Sequence, residues 1–298
     1  MLSGFENGKF YIDIESCNYL PTDMRDCSNK IAKNLLENKK RILLSLSAGL
    51  DSQSVLLSFI DNGFIPETYF AYMPGYNDNE YENVKTIDKK FQIKTNVIDM
   101  DVDKMKSNIL DKSTELGITP YFAFWHHFLK LLPSDGTFIQ LTHDPFVYIS
   151  SDKKFYYYLS YNSPDLLRHK AYETIEREGD YVFFGNDSEM LYSILNDDIY
   201  KAALFSHEYF DGNGLTKDGI FLNTVDRYDY YIKPLIYGKY WRDELIYFPK
   251  FAGHSNIDWM QVPLNYRKHG VFFDYYKLIE HLMSGPGHIK RGYETINV

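Results

Sequence analysis

The sequence predicts an α/β fold, a parallel sheet with helices on both faces, followed by an aromatic-rich C-terminal region. Two observations carry this. Short apolar runs at 42–46, 68–73 and 94–100 alternate with stretches of helical periodicity at 52–62 and 78–91, the pattern that builds parallel sheets from right-handed crossovers. Turn residues stand at the junctions, as in Asn62-Gly63 and Pro74-Gly75, where they stop one element and free the chain for the next. With 298 residues, 44% hydrophobic and 24% charged, the chain can fill one large or two ordinary cores.

In chain order, Lys9 to Ile14 reads as a strand inside turn-rich polar sequence. Asp26 to Asn38 reads as a helix with Ile31, Leu35 and Leu36 on one face. Ile42, Leu43, Leu44 and Leu46 lie between a charged segment and Gly49, which marks a buried strand. Val55, Leu56, Phe59 and Ile60 are then spaced for a helix beginning near Ser52. Thr68 to Met73 is the second strand, and Val84, Ile87 and Phe91 mark a helix over 78–91. Lys94 to Met100 is the third strand. Phe122, Trp125, His126 and Leu129 lie on an amphipathic helix, Thr119 to Leu132, and a turn at 133–136 leads into a fourth strand, Thr137 to Thr142. Farther on, Pro164 to Glu178 reads as a charged helix, Tyr181 to Phe184 as a fifth strand and Ser188 to Leu204 as a helix. The division expected is an N-terminal extension, 1–38, a central α/β domain, 39–205, and a C-terminal substrate or interface region, 206–298.

Composition narrows the partners. Net charge is −9 and the longest basic run is Lys39-Lys40-Arg41, which argues against a nucleic-acid partner, since such proteins usually present a basic face. Two cysteines, Cys17 and Cys27, cannot make a disulfide framework or a cysteine-rich zinc site. No apolar run approaches the ~18 residues of a membrane span, and the N-terminus has no signal-peptide pattern. A cytoplasmic protein with no membrane partner is the expectation.

Function is concentrated in Ser47-Ala48-Gly49-Leu50-Asp51-Ser52. In open parallel sheets ligands bind outside the carboxyl ends of the strands, and this segment leaves the first one. Ala48 and Gly49 let backbone approach a bulky anion, Ser47 and Ser52 offer hydroxyl donors, and the following helix aims its free N–H groups at the same point. The segment is a phosphate cradle, yet neither a Walker A loop nor a G-x-G-x-x-G fingerprint is present. Asp51 puts a carboxylate where phosphates would lie, which calls for a cation between them. Met73 and Thr142 to Asp144, at the ends of the second and fourth strands, should face the same crevice. His143 is the better functional histidine. His126 and His127 project about 100° apart on a helix and cannot chelate one metal together, so His126 reads as a core-edge residue.

The loop resembles the SGGxDS loop of the PP-loop ATP pyrophosphatases, with Ala48 standing where that family has its first glycine. The resemblance implies a Rossmann-like, adenine-nucleotide α-hydrolase-like fold that cleaves ATP between its α- and β-phosphates, adenylates a carboxylate or carbonyl oxygen and releases pyrophosphate. In layout the chain is most similar to the synthetase domain of asparagine synthetase. The implied nucleotide-binding residues are Ser45, Ser47, Ala48, Gly49, Leu50, Asp51, Ser52, Met73 and Thr142. Mg²⁺ would sit on Asp51 and Asp144, and catalysis would fall to Asp51, Asp144, His143 and Lys233. Asp144, in Ile139-Gln-Leu-Thr-His-Asp144-Pro, stands where the family's second acidic loop falls; Gly185-Asn186-Asp187-Ser188-Glu189 is its rival, and an ordinary helix cap is the plain reading of either. The segment 226-DRYDYYIKPL-235, with Asp226-Arg227 and Lys233-Pro234, resembles the Asp-Arg pair and the following Arg-x-Pro-Phe segment of asparagine synthetase. The substrate would be a small molecule attacked by ammonia or an amine. No glutaminase domain is visible, so ammonia would come free or from a separate subunit, and an oligomer is left open. Two alternatives stand beside this: a sulfur-transfer or sulfonucleotide enzyme of the same superfamily, and a nucleotide-binding module without turnover.

Overall fold

The computed structural model describes residues 2–6, 9–21, 23–39, 41–140, 146–149, 155–160, 181–183, 187–205, 220–221, 233–248, 257–260, 269–292 and 294–295. The chain opens with a hairpin, β1 (Leu2–Glu6) and β2 (Lys9–Glu15), paired antiparallel with Phe5 opposite Phe10. The sequence pattern reveals only the second strand, because Gly4 interrupts the first. Helix α1 (Met24–Asn38) starts on Asp23, whose carboxylate accepts the Arg25 and Asp26 N–H groups, a charge-assisted N-cap. Then come β3 (Ile42–Ser45), α2 (Leu50–Asp61), β4 (Glu67–Tyr72), α3 (Asp78–Phe91) and β5 (Asn96–Asp99).

Helix α4 (Val102–Leu116) occupies a stretch for which the sequence suggests no element; it buries only Val102 and Ile109, too thin a stripe to announce itself, and ends at Gly117 in the left-handed region. Helix α5 (Pro120–Leu131) has proline in its first turn and leads into β6 (Thr137–Gln140). Strands β7 (Phe146–Ile149), β8 (Phe155–Ser160) and β9 (Tyr181–Val182) follow, then α6 (Ser188–Leu195) and α7 (Asp198–Phe205). The remainder holds β10 (Ile220–Phe221), α8 (Lys233–Trp241), β11 (His269–Asp274), α9 (Tyr275–Met283), β12 (His288–Gly292) and β13 (Glu294–Thr295).

The principal sheet has the order β5-β4-β3-β6-β9 with every neighbouring pair parallel. Its five strands are the five the sequence predicts, and the fold is α/β and Rossmann-like. Strand β3, which feeds the loop, is central. Side chains alternate across it: Ile42, Leu44 and Leu46 join one core cluster with Val55, Phe59, Val84 and Met190, while Leu43 joins the other with Ile109, Phe124, Phe128 and Phe138. The two-residue period of a strand thus buries both faces, α1, α2, α3 and α6 covering one and α4 and α5 the other. Gly136 is required by close approach, since a Cβ there would stand 2.6 Å from Leu43 Cγ.

Two antiparallel sheets complete the described structure, β1-β2-β12 and β10-β7-β8-β11-β13. The single helix expected over Ser188 to Leu204 is instead two, α6 and α7. The break falls at Asn196-Asp197, where the buried Asp197 carboxylate accepts the Ile199 and Tyr200 N–H groups and also receives Lys239 and Tyr240 from α8. A carboxylate with four donors is a strong enough cap to restart the helix. The expected helix over Pro164 to Glu178 lies outside the described residues.

Candidate functional site

Strand β3 delivers the loop to the carboxyl end of the sheet, its ladder ending where Leu46 N–H donates to Tyr69 O at 2.9 Å. Ser45 is half-buried and Ser47 exposed. The turn differs in detail from the sequence expectation. The residue in the left-handed region is Ala48, at φ 58°, whereas Gly49 is extended at φ −68° and ψ 162° and serves as N-cap. Helix α2 therefore starts at Leu50, two residues before the expected start. Ser52 sits inside its first turn, buried, with its hydroxyl donating to Gly49 O at 3.0 Å, so it closes the turn and is not a free donor at the loop's open face. The exposed Ser47 hydroxyl and the first-turn N–H groups remain the loop's donors.

Ala48 occupies a left-handed backbone that glycine would enter at less cost. A left-handed non-glycine residue costs on the order of 1 kcal/mol, about what its buried methyl returns. Ala48→Gly is therefore expected to leave stability within about 0.5 kcal/mol of the parent in urea unfolding; a loss of 1–2 kcal/mol, the ordinary cost of removing a buried methyl and loosening a right-handed backbone, would contradict the strained geometry.

Asp51 lies in the first turn of α2. Its Oδ2 is ion-paired with Lys233 Nζ, and its Oδ1 accepts the Tyr237 hydroxyl. Lys233 is 5% exposed and Tyr237 2%, so the pair is screened from water on the lysine side. Lys233, Tyr237 and Trp241 recur every fourth residue and share one face of α8; the Tyr237 and Trp241 rings stack with centroids 5.1 Å apart. Two residues beyond Asp51, the fully buried Gln53 makes a second bridge. Its amide nitrogen donates to Ala48 O and Ile246 O, both at 2.8 Å, and its oxygen accepts Ile246 N–H at 2.8 Å. Arg25 reinforces the junction by pairing with Asp61 of α2 and Glu244.

The structure therefore brings together Asp51, predicted from the loop, and Lys233, predicted from a segment 182 positions later. Tyr237 and Gln53 are absent from the sequence reading; the four-residue recurrence of Lys233, Tyr237 and Trp241 was the available signal for the first, and Gln53 had none. Met73 is buried at the end of β4, where its N–H donates to Asn77 Oδ1 at 2.7 Å while Asn77 Nδ2 donates to Ala71 O. Thr142, His143 and Asp144 lie outside the described residues, and with them the expected pairing of Asp51 and Asp144.

The rival acid, Asp187, is the N-cap of α6 and accepts Met190 N–H at 2.8 Å. Burial, helped by the Glu189 carboxylate, outweighs that hydrogen bond and raises its carboxyl from 3.8 to about 6. A raised acid favours the folded state while protonated, and that advantage is lost as pH rises through about 6. Asp187→Asn, which keeps the cap acceptor, should then stabilise the protein by on the order of 1–2 kcal/mol at pH 7 and do nothing at pH 4; equal effects at the two pH values would contradict it. His126 is buried, and burial together with Lys130 and Lys112 lowers it to about 4, a neutral core imidazole as expected. Cys17 donates to Ser188 O at 3.3 Å, and burial pushes both thiols up to about 12, which makes them inert.

A polyphosphate bound at the loop would call for a divalent cation between it and Asp51. Among the described residues no group of three or more His, Cys, Asp or Glu could hold one, but Mg²⁺ on a polyphosphate needs only one or two protein carboxylates. Asp51 fits that minimum: its side chain is 23% exposed, and each oxygen keeps a lone pair beyond those given to Lys233 and Tyr237.

No family model and no curated protein matches this sequence. Among solved structures, the chain is similar to NMN synthetase from Francisella tularensis, with 12% identity and a TM-score of 0.34 over 41% of this chain and 56% of that one. It is also similar to NAD+ synthetase from Burkholderia pseudomallei, with 12% identity and a TM-score of 0.28 over 42% and 55%. The chain thus matches little more than half the length of either. Among the described residues no helix is long and apolar enough to cross a membrane.

Proposed function

We propose that this protein is an ATP-dependent, AMP-forming ligase of the PP-loop kind, adenylating a carboxylate or carbonyl oxygen of a small molecule for attack by ammonia or an amine. The observation that carries the reading is the junction of Asp51 with Lys233 at the start of α2, directly after the loop at the carboxyl end of the central strand. The first-turn N–H groups and Ser47 would bind the phosphates. Lys233 places a preorganised cation beside them, where charge grows on the leaving pyrophosphate. Asp51 would hold Mg²⁺, which when bound neutralises that charge.

The experiment is product analysis. ATP turned over with pools of carboxylates and amines should give AMP and pyrophosphate, because the loop has no Walker lysine to support transfer of the γ-phosphoryl group; ADP and phosphate would contradict the assignment. One observation favours a second reading. Both Asp51 oxygens are already engaged, by Lys233 and Tyr237, as they would be in a module that binds adenine nucleotide without turnover. ATP binding with no product from any acceptor pool would support that module.

A further inference from the structure

We propose that Gln53 and Tyr237 are positioning residues that lock the loop 47–52 to residues 233–248, so that filling the loop and docking that segment are one event. The inference rests on the nucleotide reading for the ligand, and on the bridges themselves for the lock. Gln53 is 0% exposed and uses both amide hydrogens and its oxygen on two backbone segments, one at Ala48 and one at Ile246, 193 positions from Gln53. One of those contacts is to the carbonyl of Ala48, the left-handed residue of the loop. The orientation of that peptide is therefore set by a side chain that also grips Ile246 twice.

Tyr237 acts in parallel. By donating to Asp51 Oδ1 it fixes the carboxylate plane, which leaves Oδ2 directed at Lys233. Its ring is held in turn by the stack on the fully buried Trp241. Movement of the loop must carry Ile246 with it, or else break the buried hydrogen bonds that Gln53 makes to both segments, which costs more than those hydrogen bonds themselves return. Glutamate at 53 could not substitute, because it has no hydrogens to give to Ala48 O and Ile246 O.

The test is hydrogen exchange on the full chain, read over Gln53–Leu56, the first hydrogen-bonded amides after the loop, and over Trp241–Phe248, with ATP affinity measured alongside by calorimetry. In the parent, ATP with Mg²⁺ should slow exchange over Trp241–Phe248 roughly fivefold or more. Tyr237→Phe keeps the ring and its stack on Trp241. It should speed exchange over Gln53–Leu56 roughly tenfold, although it touches none of those N–H groups, and raise KM for ATP more than it lowers kcat. Gln53→Met should do the same; if that variant fails to fold, Tyr237→Phe carries the test. A parent that binds ATP while both segments keep their exchange rates in every form overturns the lock and leaves the nucleotide reading standing. A parent that binds no ATP removes the nucleotide reading, and the lock is then decided in the nucleotide-free chain: faster exchange over Gln53–Leu56 in Tyr237→Phe upholds it, and unchanged exchange overturns it.

Discussion

Asp51→Asn is expected to lower stability by about 2–3 kcal/mol, and to lower turnover by on the order of a hundredfold or more. The stability loss follows from the ion pair that the 5% exposed Lys233 would lose; the 23% exposure of the Asp51 side chain keeps the loss below that of a fully buried pair. Asparagine still accepts the Tyr237 hydroxyl, so the packing of α8 survives. Lys233→Met removes the opposite charge while keeping most of the buried stem. The double variant should be more stable than the two single losses predict by roughly 1–3 kcal/mol, which is the signature of direct coupling. Turnover should fall in each single variant and stay low in the double, because restoring neutrality does not restore the cation at the phosphates. ATP affinity should change far less than rate in Asp51→Asn, since the loop's N–H donors remain. Urea unfolding of all four forms, with rates measured on the same samples, decides it; strictly additive stabilities would mean that Asp51 and Lys233 do not form a working pair.

Gly49→Val is expected to keep the fold and lose the nucleotide. Gly49 has φ −68° and ψ 162°, a region open to valine, and a Cβ there meets nothing nearer than Ser47 Oγ at 3.5 Å, an ordinary contact. The structural cost is that of a poorer N-cap, about 1 kcal/mol. The branched side chain would nevertheless stand beside the Ser47 hydroxyl at the head of α2, where an anion must approach the helix N–H groups. In the parent, ATP with Mg²⁺ at a hundred times its dissociation constant stabilises by about 2.7 kcal/mol, a rise in melting temperature of roughly 5 °C for a chain of this size. Thermal melts of Gly49→Val should show no such rise. An unchanged rise would place the phosphates elsewhere.

Much of this is legible in the sequence because it depends on local pattern. The five strands of the parallel sheet announce themselves as apolar runs, whereas the order that places β3 at the centre is tertiary, since crossover rules fix the hand of each connection and not the order of the strands. Helix α3 matches its periodicity from Asp78 to Phe91. What escapes has identifiable causes. Helix α4 buries two residues and carries almost no pattern. The start of α2 is misplaced because Ser52 looks like a cap, whereas Gly49, with no side chain to advertise the role, occupies that position. The loop's left-handed residue is Ala48, which composition rules assign to no special backbone. At the site, Asp51 and Lys233 are each visible from short motifs, but their contact is tertiary, and Gln53 resembles any other polar residue of a helix until Ile246 is brought against it.

The measurement that bears most directly on the central claim is a calorimetric titration of ATP with Mg²⁺ into the intact protein and into Gly49→Val. The loop predicts saturable binding at one site in the parent and none in the variant, with the variant still melting cooperatively. Absence of binding in the parent up to millimolar ATP, or equal binding by the two proteins, would contradict the assignment of this loop as the nucleotide site.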